Sequence, residues 1–168
     1  AVAPISGATT FDSCEPVATV PMMTIHGTAD PILLFNGGVG DLVKALSGSI
    51  GGDGSAPSSG PSTTAPAPTT TAAVDLDGPG YPANVAAWAQ RNGCGPTPSD
   101  EPVSATVTHR TYDCPAGADV EMYVVAGGGH AWPGSELSRA LEGLVGTTTF
   151  DIDATDLVWA FFQRFRRG

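Results

Sequence analysis

Positive charge is scarce in this chain. Seven Lys and Arg stand against 17 Asp and Glu, the formal net charge is −10, and Lys44 is the single lysine. Nothing here neutralises a phosphate backbone, so no nucleic-acid partner is expected. An anionic membrane surface would repel the chain. Long apolar runs are also missing. None approaches the ~20 residues of a membrane-spanning helix, so no membrane partner is expected either. Cysteine is confined to Cys14, Cys94 and Cys114. None lies in a CxxC or a Cys/His cluster with metal spacing, so neither a metal site nor another cofactor is expected. An odd count leaves one thiol over, or one paired outside this chain. A signal peptide is lacking and the first residue is Ala1, not Met, so the sequence reads as a processed product or a fragment.

What is present suits a globular α/β protein. The 168 residues are enough for one domain or most of one, and the 41% hydrophobic content is ordinary. Ala1–Ile5 is short and apolar and reads as a buried strand. Val20–Ile25 is a second, running into His26-Gly27-Thr28-Ala29-Asp30-Pro31. An apolar run that ends in small and polar residues is typical of a buried parallel strand meeting its C-terminal loop. In open α/β sheets, sites gather at that edge. Residues 47–73 are almost wholly Gly, Ser, Pro, Thr and Ala. They read as a flexible, low-complexity insertion, unable to bury enough apolar surface to offset chain entropy. A helix is predicted over Asn84–Arg91, with Val85, Trp88 and Ala89 on one face and Asn92-Gly93 as its stop. Ser104–Tyr112 alternates like a half-exposed strand, and Val120–Val125 follows closely enough to form an antiparallel hairpin with it. A last helix begins near Asp153, its stripe of Leu157, Val158, Phe161, Phe162 and Phe165 facing a sheet.

Two loops carry residues suited to acyl transfer: the one ending at Asp30, and Gly127-Gly128-Gly129-His130-Ala131-Trp132-Pro133-Gly134. A histidine base needs a carboxylate to fix its tautomer and to stabilise the imidazolium that forms. Asp30 alone is equally readable as a turn former before Pro31. The three glycines before His130 and the Trp after it favour a functional histidine. Trp132 reads either as part of a substrate wall or as packing beneath the loop. His26, before the turn and not at its tip, reads as structural, and His109 as a cross-strand residue.

The series His26-Gly27-Thr28-Ala29-Asp30-Pro31, Asn36-Gly37-Gly38, Trp88, Arg91-Asn92-Gly93-Cys94, Tyr112, Cys114, Gly127 to Gly134, and Thr147 to Phe162 occurs in that order. It resembles the secreted polyhydroxybutyrate depolymerase, feruloyl esterase and acetyl xylan esterase group of α/β-hydrolases, over nearly all of the chain outside 47–73. The resemblance implies that residues 1–168 are the C-terminal part of one α/β-hydrolase domain. It implies Asp30 as triad acid, His130 as triad base, a Cys94–Cys114 disulfide, and secretion to act on a polyester or plant-wall ester. The family's Gly-x-Ser-x-Gly elbow lies upstream of the counterpart of Ala1–Ile5, and no such motif occurs here. The serine is therefore expected from a missing N-terminal half, the partner this reading requires. Ser6, before Gly7, has the wrong flanks for an elbow, and nothing near Cys14 lowers its pKa. A non-catalytic α/β remnant that binds a polymer or a partner protein is the alternative.

Overall fold

A computed structural model describes residues 1–7, 18–50 and 75–165. Cys14, Arg166, Arg167 and most of the 47–73 segment lie outside them. Among the described residues the order is β1 (Met22–Gly27), α1 (Asp41–Ile50), α2 (Tyr81–Arg91), β2 (Ser99–Pro102), β3 (Val107–Thr111), β4 (Val120–Val125), α3 (Glu136–Ala140), α4 (Glu142–Val145) and α5 (Ala154–Gln163). The four strands form one mixed sheet in the order β1-β4-β3-β2. β1 and β4 are parallel, with Met22 opposite Val120 and Gly27 opposite Val125. The β3–β4 and β2–β3 pairs are antiparallel. The architecture is thus α/β, with helices flanking a mixed sheet.

β1 and β4 are buried at every position, because both sheet faces are covered and alternate residues serve opposite layers. Met22, Val120, Met122 and Val124 pack with Phe35, Tyr81, Val85 and Ala89 on the α2 side. Met23, Ile25, Tyr123 and Val125 pack with Ile152, Ala154 and Phe161 on the α5 side. α5 starts where its sequence demands: the Asp153 carboxylate accepts from the amides of Thr155 and Asp156, an N-cap that satisfies otherwise orphaned donors.

Several expectations need correction. Residues 1–5 do lie parallel to β1, through bridges Val2–Met22 and Ile5–Ile25, but they are half-buried or exposed and not a buried strand. Pro4 has no amide to give to the β1 side, where its carbonyl accepts from Ile25. Residues 104–106 belong to the turn joining β2 and β3, so β3 is shorter than its alternating pattern suggested. Helix α1 reaches Ile50, so residues 47–50 of the low-complexity stretch are helical. The α5 stripe is narrower than expected: Phe161 is buried, but Phe162 and its neighbour Trp159 are exposed.

Candidate active site

The parallel register brings the site together. Because Gly27 lies opposite Val125, the chain segments that follow β1 and β4 leave the same end of the sheet. They interlock there. The Thr28 amide donates to the Val125 carbonyl (2.9 Å), the Ala29 amide to Gly128 (2.9 Å), and the Gly127 amide to Thr28 Oγ1 (2.8 Å). A side chain would prevent this approach. A Cβ on Gly27 would stand 2.2 Å from the Gly128 oxygen, and one on Gly129 would stand 2.2 Å from the Val145 oxygen.

This clasp sets Asp30 against His130. His130 Nδ1 lies 2.9 Å from Asp30 Oδ2, across 100 residues of sequence. A carboxylate only accepts, so Nδ1 carries the proton and donates it, which leaves Nε2 as the lone-pair nitrogen. The other Asp30 oxygen, Oδ1, accepts from the amides of Ile32 (2.8 Å) and Leu33 (2.9 Å). The Asp30 side chain is 0% exposed and that of His130 is 31% exposed. A fixed, dry carboxylate therefore orients an imidazole that reaches solvent. The turn-former reading of Asp30 is not an alternative to this role, since one oxygen holds the turn while the other meets the histidine.

The remaining candidates separate clearly. The Trp132 indole N–H donates to Thr155 Oγ1 (3.1 Å) and its amide to Ser138 Oγ (3.0 Å), while the side chain stays partly exposed two residues from His130. Cys94 and Cys114 are joined, Sγ to Sγ at 2.04 Å, tying the segment after α2 to that after β3. Ser6 is buried and takes φ +55°, unique among the described non-glycine residues, yet its hydroxyl makes no hydrogen bond to His130. His109 stacks on Tyr123 in β4 at 4.2 Å, with Nε2 3.4 Å from Glu121 Oε2, so it is a cross-strand residue with a carboxylate neighbour. His26 lies on the α2 face, its ring 4.0 Å from that of Tyr81. Tyr81 OH pairs with Thr24 Oγ1, which donates to the Pro4 carbonyl at 2.7 Å. Burial pushes the Tyr81 phenol well above its ordinary range.

Some contributors gave no sequence signal of their role. Thr28 links the two loops. Asn92 Nδ2 donates to the carbonyls of Val20 (2.9 Å) and Ala118 (2.8 Å), bracing the segments that enter β1 and β4. Beside the site a cavity of about 430 Å³ is lined by His26, Leu33, Leu34 and Tyr81 together with glycines and Asn84; neither Asp30 nor His130 lines it. Comparison with family models, with curated proteins and with solved structures yields no match.

Proposed function

We propose that this chain contributes the acid and base of a secreted carboxylic-ester hydrolase of the depolymerase and feruloyl esterase type. The observation that carries the reading is the 2.9 Å contact between the half-exposed His130 imidazole and the buried, doubly anchored Asp30. In this reading a serine from sequence upstream of Ala1 attacks the ester carbonyl. His130 Nε2 takes the serine proton and later delivers it to the leaving alkoxide. Asp30 holds the Nδ1–H tautomer and stabilises the imidazolium without itself taking the proton. Backbone amides from the same upstream portion stabilise the oxyanion. Trp132, partly exposed beside His130, forms part of the wall that meets a polyester or plant-wall ester. Action outside the cell agrees with the Cys94–Cys114 pair, since disulfides persist in oxidising surroundings.

The test is hydrolysis of a p-nitrophenyl ester by the full gene product and by this chain. The full product turns over and the chain alone does not. In the full product Asp30→Asn lowers kcat by roughly 10⁴-fold and His130→Ala by roughly 10⁶-fold. Wild-type rates in either variant would refute the roles assigned.

The absence of Gly-x-Ser-x-Gly favours a second reading, a non-catalytic α/β remnant that binds a polymer or partner. A gene that encodes only these residues, with a chain that folds alone and binds insoluble polyester without turnover, would select it.

A further inference from the structure

Asp30 has two imidazole neighbours. His130 is bonded to Oδ2, and His26 Nε2 stands 3.8 Å from the same oxygen. His26 is 1% exposed. Its Nδ1 lies 2.8 Å from the Gly27 carbonyl oxygen. A carbonyl only accepts, so Nδ1 carries the proton and Nε2 is left as a lone pair. That nitrogen is buried and has no hydrogen-bond partner among the described residues. A buried, unpaired polar atom is costly, and a phenyl ring would fill the same space without it. What an imidazole offers here and a phenyl ring does not is the Nδ1–H bond to the Gly27 carbonyl.

The surroundings of His26 show what the ring does. One side faces the cavity of about 430 Å³, which it lines and Asp30 does not. Behind the ring sits the fully buried Asp30 carboxylate. Tyr81 covers one ring face at 4.0 Å, and Phe35 meets it edge-on at 5.6 Å. The charged or titratable groups facing His26 are thus Asp30 from its own loop, Tyr81 from α2, and His130 beyond the carboxylate. Burial dominates these influences and holds the imidazole below its ordinary value.

We propose that His26 is a positioning residue for the Asp30–His130 pair: its neutral ring walls Asp30 off from the adjoining cavity and, offering no proton toward Oδ2, leaves that oxygen to His130. One carboxylate thereby serves two imidazoles without being shared. The buried imidazole spends its proton on the Gly27 carbonyl, and that bond steadies the strand end on which the glycine clasp depends. The solvent-facing imidazole keeps the carboxylate. The inference rests on the esterase reading of the pair but is read out without catalysis.

The experiment uses the full gene product labelled with ¹⁵N-histidine and long-range ¹H–¹⁵N correlation spectra. In the wild type, His26 shows the neutral Nδ1–H tautomer at neutral pH. A downfield line reports the proton between His130 Nδ1 and Asp30. In His26→Ala the cavity opens onto Asp30 and exchange of that proton with solvent becomes roughly tenfold or more faster. In His26→Phe the wall is restored, so the line persists even though the loss of the Gly27 bond lowers the melting temperature. An Nε2–H tautomer or an imidazolium at neutral pH in the wild type overturns the proposal. So does a folded His26→Ala variant with wild-type exchange, or a folded His26→Phe variant without the line. If the alanine variant does not fold, the wild-type tautomer and the phenylalanine variant still decide. The esterase reading fails separately, on turnover by the full gene product.

Discussion

At the scale of single residues the site is a matter of what is kept dry. Asp30 satisfies its two oxygens with two backbone amides and one imidazole. The two glycines of the clasp are as necessary as the acid. Gly129→Ala places a methyl against the Val145 carbonyl and should cost about 1–3 kcal/mol of stability, read from urea unfolding. A smaller effect would mean that the loops relax easily. His26 adds a pH dependence. Its folded-state value is depressed below 6.5 by burial, against the opposing pull of the Gly27 carbonyl and Asp30. The unfolded chain then binds the proton more readily. The His26 contribution is fully present above pH 6.5 and is lost as pH falls below it. Urea midpoints should therefore decline from neutral to mildly acidic pH, and less steeply in His26→Phe. An unchanged slope in that variant would show that His26 is not the group responsible.

At the scale of elements, the part that positions the site was legible and the part that braces it was not. β1 and β4 are mostly apolar, broken only by Thr24, His26 and Glu121, and lead into glycine and polar residues, so their burial and the loops carrying Asp30 and His130 could be read directly. β2 is Ser-Asp-Glu-Pro, exposed at all four positions, and has neither alternation nor an apolar run to announce it. α1 ends in Ser-Gly-Ser-Ile, which merges with the low-complexity composition that follows. Arg110 breaks the expected alternation of β3. It is buried because its guanidinium meets Asp100 at 2.7 Å and Asp77 at 2.8 Å, partners that no spacing rule brings together. Its hydrogen bond to the Leu76 carbonyl pins the chain where it approaches α2. The disulfide does comparable work beyond α2. It closes a separation of 20 residues, so replacing both Cys94 and Cys114 by Ala should cost about 3 kcal/mol and lower the melting temperature by roughly 6–12 °C. An unchanged melting temperature would mean that the Asn92 and Trp88 bonds to Val20 suffice.

At the scale of the whole molecule, the sheet ends in a way that invites addition. Ala3 and Ile5 have no backbone partner among the described residues on the side away from β1, and no charged side chain lies in the first five residues to discourage pairing. Trp159 at 65% exposure and Leu137 at 72% leave large apolar side chains in water, with Leu144 and Phe150 also exposed. The isolated chain should associate with itself as concentration rises, visible in analytical ultracentrifugation, and Trp159→Gln should weaken that association. A monomer at all concentrations would argue that these surfaces need no cover. In the esterase reading, the cover is the portion that brings the nucleophilic serine. Parallel pairing at Ala3 and Ile5 would end the added strand at the edge where Asp30 and His130 meet. The most direct test is fluorophosphonate labelling of the full gene product, with the modified residue located by mass spectrometry. The account predicts a labelled serine outside residues 1–168, and labelling slowed at least about 10³-fold by His130→Ala. Labelling that is indifferent to His130→Ala, or none in the full product, would contradict it.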